Sequence, residues 1–251
     1  MLLVAITLVV CAPGYPGSSA EAQPAMDALA RALGGAAHLP FQAVYEETVE
    51  GGLEKLAAPD AALLLAPLPF FLDHERDLAL AARMMAVPKE GGGPLQRWTL
   101  VAAKEHPQDL EGYAVQSTAG YSPRFVHAMS PPLKGAKVID SPAVLSGLRR
   151  AANGGALAIL LDGPQGQALS TLPFAQGLAP LSTSAPVPVA LVATVGKRLD
   201  GRKWKAVQAA LLSLAAEASA REALDGVRMS AFVALDRAAL SAARAAYERA
   251  R

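Results

Sequence analysis

Short apolar runs of strand length alternate with segments of helical periodicity from the first residues onward. That alternation restricts the chain to an α/β fold. Ile6–Cys11 reads as a core strand. A turn-rich Ala-Pro-Gly-Tyr-Pro-Gly-Ser-Ser segment follows, and then a helix with Met26, Leu29, Ala30 and Leu33 on one face. Ser18 and Glu21 stand at capping-box spacing. Pro24 fits badly near the start of a helix and moves the expected first turn a few residues later. Gly34-Gly35 is expected to stop the helix. Residues 41–45 read as a second strand, 48–57 as a helix and 61–66 as a third strand, the βαβ rhythm of a parallel sheet.

Residues 80–87 and 96–103 are two further strands, separated by Lys-Glu-Gly-Gly-Gly-Pro. A second series begins after Lys104-Glu-His-Pro. It comprises a strand at 113–116, a strand at 137–139, a helix capped by Ser141 with Pro142 at its first position, and strands at 156–161 and 178–181. Residues 189–195 form another strand. The remainder reads as helical, over 203–218, 222–224 and 236–249. Two α/β units result, the second inserted into the first, with joins near Gln96 and near 186–188. The expected boundaries are 1–96 with 188–251 for the first unit and 97–187 for the second. Each is expected to hold a mainly parallel sheet flanked by helices. Two crossovers between compact units form a hinge, so closure over a ligand is expected.

Composition narrows the function. The 251 residues are 52% hydrophobic but only 5% aromatic, so the core must be built mostly from Ala, Leu and Val. A formal net charge of +1, with no basic stripe carrying aromatics, gives no reason to expect nucleic acid as a partner. The single cysteine, Cys11, rules out an internal disulfide and reads as a core thiol. No run reaches the ~18 apolar residues of a membrane span. The first eleven residues resemble the apolar region of an export signal but lack a positive start and a clear cleavage site. They read better as a strand, with any export signal removed or upstream. Gly-x-Ser-x-Gly, phosphate-loop and dinucleotide motifs are not found, and His38, His74, His106 and His127 are scattered. Asp73-His74-Glu75 reads as a solvated helix end. Neither a catalytic residue nor a cofactor or metal is expected, and the protein is read as not an enzyme.

What remains is a set of loops at the carboxyl ends of the expected strands, where open α/β sheets bind ligands. They supply Gly14, Tyr15, Ser18 and Ser19; Tyr45 and Glu46; Pro67, Leu68 and Phe70; Ser117, Thr118, Ala119, Gly120 and Tyr121; and Asp162 and Gln165. For Ser18 and Ser19 taken alone, helix capping is the better reading. The stretch 109–126 is the most pointed of the set. A short apolar run turns through Ser117-Thr-Ala-Gly into a helix opened by Ser122-Pro123. Small hydroxylated residues beside free backbone N–H groups favour a bound anion.

These segments resemble the phosphate/phosphonate-binding proteins of ABC transporters, a branch of the type 2 periplasmic binding protein fold. Leu56-Ala-Ala-Pro-Asp-Ala-Ala-Leu-Leu-Leu-Ala-Pro-Leu-Pro-Phe-Phe is similar to that family's small-residue, Asp, apolar-strand run. Asp109-Leu-Glu-Gly resembles its lead into the second lobe, and Ser117-Thr-Ala-Gly-Tyr its Ser-Thr-Ser-Gly-Tyr oxyanion turn. The resemblance implies a two-lobed fold and a periplasmic monomer that captures a small-molecule oxyanion between its lobes and hands it to a transporter permease. It gives Ser117 and Thr118 the ligand-contact role, with Tyr45 and Asp162 as further contacts. Ala119 stands where the family has its second serine, and Asp140-Ser-Pro lacks the family's histidine. An apolar or sterol-like ligand against Pro67-Leu68-Pro69-Phe70-Phe71 and Trp98 is the alternative reading. An enzyme or a sensor domain reusing the fold is the second.

Overall fold

A computed structural model describes residues 5–13, 18–90, 92–106, 110–118, 120–130, 136–217 and 220–250. In chain order its elements begin β1 Ile6–Cys11, α1 Ser19–Ala37, β2 Phe41–Glu46, α2 Val49–Ala57, β3 Ala61–Pro67, α3 Leu68–His74, β4 Leu80–Pro88 and β5 Leu95–Gln96. They continue β6 Thr99–Ala103, β7 Ala114–Ser117, α4 Pro123–Met129, β8 Lys137–Asp140, α5 Val144–Ala152, β9 Leu157–Leu161, α6 Gly163–Ala168, β10 Leu178–Thr183 and β11 Val187–Pro188. The last are β12 Ala190–Val195, α7 Gly201–Ser213, α8 Arg221–Gly226, β13 Met229–Ala234 and α9 Arg237–Arg249. Two compact units result, Met1–Pro94 with Pro188–Asp236, and Leu95–Val187 with Arg237–Arg251. The crossings β5 and β11 pair with each other.

The first unit has a six-stranded sheet ordered β13-β4-β12-β3-β1-β2. β1 lies parallel to both β2 and β3, while β12, β4 and β13 add antiparallel pairs. All six residues of β1 are buried. Ile6, Leu8 and Val10 point into a core filled by Met26, Leu29 and Leu33 of α1 and by Val207 and Leu211 of α7. On the opposite face Thr7 donates a 2.6 Å hydrogen bond to Asp60, and Cys11 lies against Gly52 of α2. Each large aliphatic side chain taken out of water here contributes about 1.5–3 kcal/mol.

The sequence misplaces several details. The α1 helix starts at Ser19 despite Pro24, because Ser18 and Glu21 form a complete capping box: the Ser18 N–H donates to Glu21 at 2.8 Å. Gly34-Gly35 lies inside the helix, which ends at His38 in the left-handed conformation, φ 53°. Gly34 is there for space, since a Cβ would sit 3.0 Å from the Leu39 carbonyl oxygen. Pro67-Leu-Pro-Phe-Phe is not an open loop but the entry and first turn of α3, with Pro at a position that needs no N–H. Met229–Ala234, read as part of a helical tail, is the edge strand β13.

The second unit has a five-stranded sheet ordered β10-β6-β9-β7-β8. β7 lies parallel to β8 and β9, while β6 runs antiparallel to β9 and β10. Both sheets are thus mixed, not mainly parallel. Leu148 and Ala151 of α5 cover one face together with Val101, Ile159 and Leu161. Helix α5 begins at Val144, two residues after Pro142, and Ser141 accepts instead from the Ala143 N–H. Helix α9, grouped by sequence with the first unit, packs on α4 of the second. The Arg124 guanidinium lies 4.2 Å from the Tyr247 ring centroid and donates to the Tyr247 and Ala250 carbonyls.

The fit between β1 and α2 is testable. A Cβ on Gly52 would lie 2.3 Å from Cys11 Sγ and 3.2 Å from Cys11 Cβ. Gly52→Ala is expected to cost about 1–3 kcal/mol in denaturant unfolding. In the double variant with Cys11→Ala, the total loss should be smaller than the sum of the two single losses, since the clash is then relieved.

Candidate functional site

In the second unit the ladders bring several polar groups to one end of the adjacent strands β6, β9 and β7. Thr99 pairs with Leu161 across β6 and β9, and Gln116 pairs with Ile159 across β7 and β9. Continuing that register puts Thr118 in the row of Leu161 and Thr99, with Trp98 and Asp162 one residue beyond. Ser122 caps α4, accepting from the Phe125 N–H at 3.1 Å, as the sequence suggests. Tyr121, next after Gly120, packs its ring 5.0 Å from that of Trp98, and Phe125 sits 5.2 Å away on the same indole. Gly120 has φ 86°, the left-handed turn that a glycine allows.

Ser117 Oγ, Thr118 Oγ1, Gln116 Nε2 and Trp98 Nε1 are buried and have no hydrogen-bond partner among the described residues. A buried donor or acceptor without a partner costs about 1–3 kcal/mol, so a group of them concentrates attention here. Gln116 escaped the sequence reading; a polar residue inside an otherwise apolar strand was the signal. The side chain lies against Gly147 of α5, where a Cβ would stand 2.5 Å from Gln116 Oε1.

Asp162 and Gln165 have a local explanation. They form the capping box of α6, with the Gln165 N–H donating to Asp162 Oδ1 at 2.8 Å and the Asp162 N–H donating to Gln165 Oε1 at 3.2 Å. Burial pushes the Asp162 carboxyl above its ordinary range, while the Gln165 N–H draws it down.

In the first unit a cavity of about 270 Å³ opens at the carboxyl ends of β1, β2 and β3. Val10, Met26, Leu65, Val227 and Met229 form much of its wall, joined by Ser18, Tyr45 and Pro67 from the sequence-derived set. Charged groups at this cavity are already engaged: Glu21 with Ser18, and Arg228 with Glu90 at 3.3 Å. Ser19 donates to Glu47 at 2.5 Å, which lowers the Glu47 carboxyl, and Glu46 faces Lys55 at 3.8 Å. Leu68 and Phe70 are buried, with the Phe70 ring tilted against that of His74 at 4.7 Å within α3. Gly14, Tyr15 and Ala119 lie outside the described residues. The part of the cavity wall from α8 and β13 was missed because that segment reads as helix.

Two discontinuous α/β units, each a mixed sheet with helices on its faces, define a two-lobed fold of the type 2 periplasmic binding protein class. No protein-family model matches the chain, and none of the curated proteins does. Among solved structures it is similar to XAC2383 from Xanthomonas citri, known bound to chloride and to ATP. That likeness covers 98% of each chain at 16% identity, with a TM-score of 0.74. It is also similar to the PA3383 binding-protein component of an ABC phosphonate transporter from Pseudomonas aeruginosa (98% and 88% covered, 14% identity, TM-score 0.63). A third is PhnD1 from Prochlorococcus marinus in complex with methylphosphonate (97% of both chains, 10% identity, TM-score 0.62). Among the described residues no helix is long and apolar enough to cross a membrane.

Cys11 lines the cavity but is wholly buried, and burial, reinforced by the Glu46 carboxylate, pushes its thiol up to about 12. A disulfide reagent at pH 8 should therefore leave the folded protein unmodified and titrate one thiol after denaturation. Rapid reaction of the folded protein would contradict this packing.

Proposed function

We propose that the protein is an extracytoplasmic solute-binding protein that captures a small phosphate- or phosphonate-like oxyanion and delivers it to an ABC transporter. The observation that carries the reading is the pair of buried hydroxyls, Ser117 Oγ and Thr118 Oγ1, at the carboxyl end of β7, which have no partner among the described residues. An oxyanion accepts from both. A charged acceptor makes each bond stronger than a neutral one would. The fold shared with the phosphonate-transporter component and with the methylphosphonate complex supports the same reading. On this reading the protein works in the periplasm as a monomer, partnered by its solute and a permease, and it releases the solute chemically unaltered.

A second reading, an apolar ligand, draws on the first unit's cavity. Its walls are largely aliphatic, and its volume of about 270 Å³ suits a short hydrocarbon group.

Calorimetric titration separates the two. Hydrogen bonds to a charged acceptor contribute about 1.5–3 kcal/mol each. Ser117→Ala combined with Thr118→Val is therefore expected to weaken methylphosphonate or phosphate binding by roughly two orders of magnitude. Ala22→Leu, which fills the cavity from α1, should leave that binding unchanged. An apolar ligand predicts the reverse pattern with a short fatty acid as the probe. Failure of the wild type to bind phosphate or any phosphonate up to millimolar concentration would overturn the oxyanion reading.

A further inference from the structure

Trp98 sits at the start of β6 with only 1% of its surface exposed, yet its indole N–H has no partner among the described residues. Its backbone is well fixed: the Trp98 N–H donates to Ser184 Oγ at 2.9 Å, and its carbonyl accepts from the Ser184 N–H at 2.8 Å. The ring is fixed as well, wedged edge-on against Tyr121 at 5.0 Å and Phe125 at 5.2 Å. Those two aromatics belong to the turn and helix that follow Thr118. Since β9 separates β6 from β7 in the sheet, the indole reaches across one strand to meet them.

An indole held only for its apolar area gains nothing from a buried, unpaired N–H. A phenyl ring in the same place would make the same edge contacts without the desolvation cost. The group becomes intelligible if its acceptor arrives from outside the chain. The register puts Trp98 at the same end of the strands as Ser117 and on the same alternation, two residues from Leu100 in Ser117's row, and the Ser117 hydroxyl is also buried and without a partner among the described residues. Of the charged groups nearby, Arg97 donates to the Ser184 carbonyl and Asp162 caps α6, while Gln116 Nε2 and Ser182 Oγ are, like the indole N–H, buried without a partner among the described residues.

We infer that the Trp98 indole N–H is a ligand donor that acts together with the Ser117 and Thr118 hydroxyls on the bound oxyanion. The inference rests on the oxyanion reading above and assigns Trp98 a polar role in place of the apolar wall suggested by sequence. Trp98 then sets specificity by direction: a rigid N–H on a clamped ring favours an acceptor oxygen at one position, whereas a hydroxyl rotates to suit.

Trp98→Phe keeps the aromatic contacts and removes the donor. With methylphosphonate and inorganic phosphate as probes, the variant is expected to bind about tenfold or more weakly than wild type by calorimetry. Its ligand-free melting temperature should fall only by the cost of the smaller ring, since the buried N–H makes no bond among the described residues whose loss would add to it. The chain contains two tryptophans, so in 15N-tryptophan-labelled protein the variant identifies the Trp98 indole resonance by its loss. In wild type that resonance should move on adding methylphosphonate. If the wild type binds and Ser117→Ala weakens it, but Trp98→Phe binds equally well or the indole resonance stays still, this inference fails and the oxyanion reading stands. If the wild type binds neither anion, both fail.

Discussion

Burial of β1 on both faces is the constraint from which the first unit follows. A strand flanked by parallel neighbours on each edge and covered on each face has no route to solvent for any of its side chains. Ile-Thr-Leu-Val-Val-Cys meets that demand with five apolar residues and one threonine, whose hydroxyl is paired with Asp60. Gly52 belongs to the same constraint, because α2 approaches closely enough to leave no room for a side chain over Cys11. The α1 helix, with Met26, Leu29 and Leu33 on its inner face, is held to the sheet by the alternate residues of this strand.

Elements with strong local signals were readable in the sequence. Ile6–Cys11, the Ser18–Glu21 box and the Ser122-Pro123 helix start each depend on residues within a few positions of one another. Elements that depend on distant partners were not. Met229–Ala234 has one fully buried side chain, Phe232, and becomes a strand only because β4 offers it an edge. The orientation of β12 is equally invisible locally: the same apolar run suits a parallel or an antiparallel neighbour, and the chain's return to the first sheet decides it. Ser117 and Thr118 drew notice in the sequence because small hydroxylated residues lead from a strand into a helix start, a local pattern. The state of the Trp98 N–H was not legible, since only the packed structure shows it buried with no partner among the described residues.

The two units handle polar groups in opposite ways. In the first, charged side chains near the cavity are spent on one another or on helix caps, and the wall left to a ligand is aliphatic. In the second, buried hydroxyl, amide and indole groups have no partner among the described residues. Folding free energy alone does not favour the second arrangement, since each such group is costly. Sites that must bind something commonly carry this kind of local cost.

The seating of α9 has a consequence for how the chain comes to be folded during synthesis. Both units are discontinuous: the first lacks Pro188–Asp236 until the insert Leu95–Val187 has been made, and the second lacks α9 until Pro188–Asp236 has followed. A nascent chain thus completes the second unit's sheet while the first sheet still lacks β12 and β13, with the α4 surface around Arg124 bare until α9 has been made. Helix α9 acts as a latch on the second unit, which matures only after the first unit's returning segment has been made.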